Sequence, residues 1–183
     1  DVAGKGIHAG MVMAKASTLF EVLAQDKVDL DEMALHMNND LFTTKTGGMF
    51  VTGIVGIYDL VSDEVKWVNA GHQPALIRDL KGNFKEFESK SPPLGVVTQK
   101  NKSTYLVNKE KLNGHRFYIF TDGLSESLDK DKEELGIEGA KIIINNNFNS
   151  SMEDELNNIS KEIKENSAKD KLDDDLTILT IGR

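Results

Sequence analysis

Four apolar residues, Phe117-Tyr118-Ile119-Phe120, run directly into Thr121-Asp122-Gly123. A segment apolar on both faces suits a strand covered on both sides, and the glycine permits a sharp exit that leaves the Asp122 carboxylate outside. Two other acidic points resemble it. Asp1 precedes the glycine-rich turn Val2-Ala3-Gly4-Lys5-Gly6, and Asp173-Asp174-Asp175 precedes the strand-like segment 176–181. A charged group beside a buried strand must be paired, coordinated or at the surface, and adjacent carboxylates repel unless a cation lies between them. Three carboxylate positions at strand ends therefore point to a hard divalent cation held by oxygen. The plain alternatives are an exposed turn aspartate at Asp122 and a solvated connection at 173–175. Lys5, between Gly4 and Gly6, could aim an ammonium and backbone N–H groups at an anion, or the stretch could be a flexible end.

Other chemistries find less support. The chain has no cysteine, which excludes disulfides, zinc thiolate sites and cysteine nucleophiles. The four histidines, His8, His36, His72 and His115, show no zinc-type pairing, and no serine sits in a nucleophile elbow. His72 lies with Asn69 at a strand end, where a structural hydrogen bond is the expected role. Asp129 and Asp131 begin like a calcium loop, but Glu134 occupies the position that loop reserves for glycine. Gly4-Lys5-Gly6-Ile7-His8-Ala9 fits the dinucleotide fingerprint, yet a second helix and antiparallel strands follow it in place of a βαβ unit.

The elements that must position these acids follow from periodicity. Val12, Ala16, Leu19, Phe20 and Leu23 recur at helical spacing from Ala9 to Ala24, with Met11, Met13, Ala14 and Val22 widening the arc into a largely buried helix. A second helix, capped by Asp29 or Asp31, carries Leu30, Met33, Ala34, Met37 and Leu41 on its core face up to about Thr43. Residues 49–60 read as a long central strand, paired as a hairpin with 65–69. Short strands follow at 75–77, 84–87 and 104–107, around turns at 81–83 and 113–114 and a rigid Pro92-Pro93-Leu94-Gly95 loop. The stretch from Lys85 to Thr104, with its double proline, could offer a variable surface for partner contact, but a plain connecting loop is the expected reading. Past Gly123 come an acidic exposed stretch, helices at about 133–144 and 152–164, and a closing strand at 176–181. Two early helices, two late ones and five or more strands make an α+β fold.

With 183 residues, 39% of them hydrophobic, one domain over 1–183 is expected. A net charge of -8 argues against nucleic acid as a partner. The longest weakly polar stretch, 49–61, is too short for a bilayer, so no direct membrane contact and a cytoplasmic location are expected.

The order of motifs resembles the SpoIIE/RsbU branch of the PPM-type, metal-dependent serine/threonine protein phosphatases of bacteria. The likeness rests on Asp1-Val2-Ala3-Gly4-Lys5-Gly6, Met49-Phe50-Val51-Thr52, Val68-Asn69-Ala70-Gly71-His72-Gln73-Pro74, Pro93-Leu94-Gly95-Val96, Thr121-Asp122-Gly123 and Asp174-Asp175-Leu176-Thr177. It implies a four-layer α-β-β-α sandwich of two antiparallel sheets flanked by helices. It also implies two Mn²⁺ or Mg²⁺ ions that activate a water against phosphoserine or phosphothreonine. Carried over, Asp1 would bind metal by its side chain and Val2 by its carbonyl, Asp122 and Asp174 would hold the second ion, and Lys5 would at most touch phosphate. Asp1, Asp122 and Asp174 are thus the implied catalytic residues. His72 falls where many eukaryotic relatives carry a third-metal aspartate. The family also has an aspartate on an early strand to which no residue here corresponds. The expectation is that the domain begins upstream of Asp1, lacks its first strand or strands in this chain, and alone binds metal poorly. The resemblance further implies a phosphorylated STAS-type anti-anti-sigma substrate and an N-terminal sensor or receiver domain, and leaves a homodimer open. The reading from another class is a non-catalytic signalling module on the same fold.

Overall fold

The structure is a computed structural model that describes residues 1–43, 48–129, 131, 133–166 and 175–182. Its class is α+β, with two antiparallel sheets flanked by helices, and the chain forms two compact units.

The first unit comprises 1–74 and 87–113. Helices α1 (Ile7–Gln25) and α2 (Leu30–Thr43) lie with a three-stranded sheet in the order β1 (Gly53–Asp59), β2 (Glu64–Ala70), β5 (Val107–Lys111). The expected β1–β2 hairpin is present, Gly53 facing Ala70 through Asp59 facing Glu64, and Asp63 turns it with a φ of 54°. The core joins Val12 and Ala16 of α1, the expected α2 face from Leu30 to Leu41, and Val68 and Ala70 of β2. The α2 methionines, Met33 and Met37, fill this core. Tyr105 is buried in the same cluster, and its hydroxyl has no hydrogen-bond partner among the described residues. Burial pushes that phenol up to about 12. Tyr105→Phe removes a desolvated, unpaired hydroxyl and is expected to raise the unfolding free energy by about 1 kcal/mol in a urea titration.

Four expectations need correction here. Helix α1 is not largely buried: only Ala9, Val12 and Ala16 are, while Met11 is 67% and Val22 52% exposed. Its buried arc is the narrow stripe that meets α2, and helical periodicity alone does not fix the width of that stripe. Among the described residues it is helix α1, and not 49–61, that is long and apolar enough to cross a membrane by length and composition, a test that helices of soluble proteins pass as well. The strand read at 49–60 is shorter and lies at a sheet edge. β1 starts at Gly53, and Val51 instead bridges Val2 on one side and Leu94 on the other. At 104–107, residues 102–104 form a 3₁₀ turn begun by the Asn101 side chain, which accepts from Ser103 N–H, and the strand starts only at Val107.

The second unit comprises 75–86 and 114–183. Its sheet runs β4 (Phe84–Phe87), β3 (Ala75–Arg78), β6 (Arg116–Phe120), β7 (Ile178–Ile181), so β6 is central, with Leu76 opposite Tyr118 and Phe120 opposite Ile178. Tyr118 and Phe120 pack with Ala140, Ile143 and Ile144 of α4 (Gly136–Asn147) and Ile159 and Ile163 of α5 (Met152–Asn166). Phe117 is buried as well, which makes β6 apolar on both faces as its sequence requires. The stretch after Gly123 is not simply exposed. Residues Asp122–Ser125 form a short helix, α3, that buries Gly123, Leu124 and Ser125.

Candidate functional site

Asp1, Val2 and Lys5 belong to the first unit and Asp122 to the second, while Asp174 lies outside the described residues.

In the first unit the 1–3 segment is held as a strand. The Ala3 N–H donates to Phe50 O at 2.9 Å and the Thr52 N–H to Asp1 O at 2.8 Å, so Val2 and Val51 face each other as a pair that exchanges no hydrogen bond. The Val2 carbonyl consequently points away from Val51 and is left for another partner. Gly4 and Gly6 then take φ values of 112° and 84°, and Gly6 stands at the N-cap of α1. Lys5 is exposed on this turn. Thr52 is fixed by His72, whose Nδ1 lies 3.0 Å from the Thr52 hydroxyl, and His72 N–H donates to the Asn69 side chain at 2.9 Å. His72 thus has the structural hydrogen bond expected of it, one residue removed from the segment that carries Asp1. The Gly71 turn is packed closely: a Cβ there would come within 2.5 Å of Pro93.

In the second unit Asp122 opens α3 just beyond the end of β6, and its carboxylate has no hydrogen bond or ion pair among the described residues. Thr121 ties this corner to the chain before β7. Its hydroxyl donates to Asp175 O at 3.0 Å and accepts from Thr177 N–H at 3.0 Å, and its N–H donates to Thr177 O at 3.0 Å. Gly123 allows the approach, since a Cβ would stand 2.5 Å from Asp175 O and 2.9 Å from its carbonyl carbon. Both are backbone atoms, which cannot swing aside. Gly123→Ala is therefore expected to lower stability by about 1–3 kcal/mol and to weaken Mn²⁺ binding, read by urea unfolding and by Mn²⁺ titration.

Each unit offers candidate oxygen donors, the Asp1 carboxylate and Val2 carbonyl in the first and the Asp122 carboxylate in the second, a chemistry that suits Mg²⁺ or Mn²⁺ and not softer metals. Among the described residues no group of three or more His, Asp or Glu side chains is gathered tightly enough to hold an ion by itself. The acids at 129 and 131 are a local turn, with Asp129 accepting from Asp131 N–H and Glu133 N–H.

The sequence missed two asparagines. Asn38 and Asn39 of α2 bond to the backbone of the loop after Pro93, and the signal was a polar residue on the core stripe between Ala34 and Leu41.

Comparison with known proteins places this geometry in context. Residues 1–183 match the family described as Stage II sporulation protein E (SpoIIE). The phosphoserine phosphatase RsbU of Bacillus subtilis is 25% identical over 127 residues, covering 69% of this chain and 37% of RsbU. The chain spans about a third of the length of the curated relatives it matches. Among solved structures, the SiaA-PP2C domain of Pseudomonas aeruginosa superposes with a TM-score of 0.80 at 15% identity, over 100% of this chain and 73% of that one. RsbX in complex with magnesium superposes with a TM-score of 0.66 at 20% identity, over 97% and 75%. These two likenesses establish the fold.

Proposed function

The chain belongs to the SpoIIE family, and from that premise we propose that it is a metal-dependent protein serine/threonine phosphatase of RsbU-like bacterial signalling. The observation that carries the reading is the family match over residues 1–183, and the oxygen donors offered separately by each unit, Asp1 and Val2 in the first and Asp122 in the second, support it. Asp1 by its side chain and Val2 by its carbonyl would hold one Mn²⁺ or Mg²⁺, with Asp122 and Asp174 on a second. Bound there, the ions would lower the pKa of a water and offset charge on phosphoryl oxygens. That RsbX was solved with magnesium supports a divalent ion on this fold.

The remaining work falls to this chain's own residues. The ladder 1–3 against 50–52 keeps the Val2 carbonyl turned outward, and His72 through Thr52 holds that ladder in register. Lys5 offers an exposed ammonium on the same turn for a phosphate oxygen. Thr121 and the missing side chain of Gly123 fix the corner from which Asp122 projects. The substrate is a phosphorylated STAS-type anti-anti-sigma protein. An N-terminal sensor or receiver domain supplies the input, and the site of action is the cytoplasm.

The test is Mn²⁺-dependent phosphate release from a phosphoserine STAS protein, measured with the full-length protein that carries this chain and with Asp122→Asn as control. Release that requires metal and is lost in the variant supports the phosphatase. A folded protein that neither binds Mn²⁺ nor releases phosphate would leave the non-catalytic signalling module.

A further inference from the structure

Asn38 is 1% exposed, on the apolar stripe of α2 between Ala34 and Leu41. Both ends of its amide are bonded. Nδ2 donates to Val97 O and to Asn39 Oδ1, each at 3.0 Å, and Oδ1 accepts from Gly95 N–H at 2.9 Å. Asn39 adds a second pair, donating to Gln99 O and accepting from Gln99 N–H, both at 2.9 Å. The two side chains thus bind the 95–99 backbone as a neighbouring strand would. Gly95 sits at φ 90°, and a Cβ there would lie 3.2 Å from Leu41 Cβ, so the loop runs close against the helix.

The next links lead to the candidate metal ligands. Leu94 pairs with Val51 through both backbone groups, at 2.8 and 2.9 Å. Val51 faces Val2, whose neighbours Asp1 and Ala3 bond to Thr52 and Phe50. A continuous path of peptide bonds and hydrogen bonds therefore runs from the Asn38 amide through Gly95, Leu94 and Val51 to the segment that carries Asp1 and Val2. Pro92 and Pro93 stiffen the chain that enters Leu94. A leucine at position 38 would suit the core better, but would leave the Gly95 N–H and Val97 carbonyl without partners.

We propose that Asn38 is a positioning residue for the metal site, setting the Leu94–Gly95 turn and through it the Val51–Val2 pair. The proposal rests on the phosphatase reading and deepens it.

Asn38→Ala, in the full-length protein that carries this chain, is compared with an Ile159 truncation matched in loss of global stability. Partners that orient a ligand are generally worth about 10–100-fold in metal affinity, so the Mn²⁺ dissociation constant is expected to rise by about tenfold or more. Saturating Mn²⁺ is expected to restore most of the rate. In the metal-free protein, amide exchange at Val51 and Leu94 is expected to accelerate in Asn38→Ala and not in the Ile159 variant. If Asn38→Ala does not fold, Asn38→Asp, which keeps the acceptor for Gly95 N–H and loses the donor to Val97, gives the same readouts. Unchanged Mn²⁺ affinity and unchanged exchange in a folded Asn38 variant would overturn the proposal. So would changes no larger than those of the Ile159 variant. A wild-type protein that neither binds Mn²⁺ nor releases phosphate is a separate result: it removes the phosphatase reading, and with it any metal-positioning role for Asn38.

Discussion

Asp122→Asn is expected to reduce Mn²⁺-dependent phosphate release by a factor of about 10² to 10³ or more, the scale on which losing one charge-stabilising contact to a reacting group is felt. The substitution keeps the shape of the side chain and removes its charge. An amide is a poor ligand for a hard divalent ion in place of a carboxylate, so Mn²⁺ affinity should fall together with the rate. The fold should not follow. The Asp122 carboxylate has no hydrogen bond or ion pair among the described residues, whereas its backbone carbonyl, which the substitution keeps, accepts from Glu126 N–H at 2.8 Å and from the Ser125 hydroxyl at 3.1 Å. Unfolding free energy should therefore stay within about 0.5 kcal/mol of the parent. The measurement is phosphate release against Mn²⁺ concentration for both proteins, with urea unfolding alongside. Activity within tenfold of the parent at equal Mn²⁺ would remove Asp122 from the site. Loss of activity with an equal collapse of stability would assign it a structural role instead.

What was legible in the sequence was local. A carboxylate one threonine beyond a run of four apolar residues marked Asp122, and the structure places it just past the end of the central strand β6. The α2 stripe and the β1–β2 hairpin were legible for the same reason, because period and turn chemistry act over a few residues. The misread elements depend on partners far away in sequence. Val51 looks like part of a long strand, and only its pairing with Leu94, 43 residues on, and with Val2 shows it to be a separate rung. Helix α1 shows the right period, but the width of its buried arc is set by what α2 covers. The residues from Asp122 to Ser125 are too few for a helical period, and their burial comes from tertiary packing. One class of signal was present and passed over: a polar residue on an apolar stripe. Asn38 falls between Ala34 and Leu41, and Glu155 stands four residues before Ile159 and eight before Ile163. Burying such groups is costly, so each implies partners that must exist elsewhere in the fold.

Glu155 is the second position where a large effect is expected, and there the effect is on stability. It is 0% exposed on α5, and its carboxylate takes a salt bridge from Arg116, itself 5% exposed, and a 2.6 Å hydrogen bond from the Tyr118 hydroxyl. Arg116 also donates to Ser150 O at 2.9 Å, and its guanidinium lies over the Phe148 ring, 4.5 Å from the centroid, with that of Arg78 at 3.7 Å. The cluster fastens α5 and the 148–150 turn to the start of β6. Glu155→Ala leaves a buried guanidinium without its counter-charge and a buried phenol without its acceptor, and is expected to cost about 3–5 kcal/mol in urea unfolding. Glu155→Gln keeps an acceptor for Tyr118 and should cost less. The double replacement Arg116→Met with Glu155→Leu, which removes both charges, should recover much of the loss, because a buried pair is worth little over an apolar isostere while a broken pair is expensive. A double variant no more stable than Glu155→Ala would show that hydrogen bonds, and not the uncompensated charge, dominate. The same cluster carries a pH signature. Burial and the Glu155 carboxylate raise the Tyr118 pKa above its ordinary value of 10.0. The unfolded chain then loses that proton near pH 10 while the folded protein still holds it, so the tyrosine's contribution is complete below about pH 10 and falls as pH rises beyond it. Tyr118→Phe should flatten this alkaline decline. A decline unchanged in Tyr118→Phe would assign it to other groups.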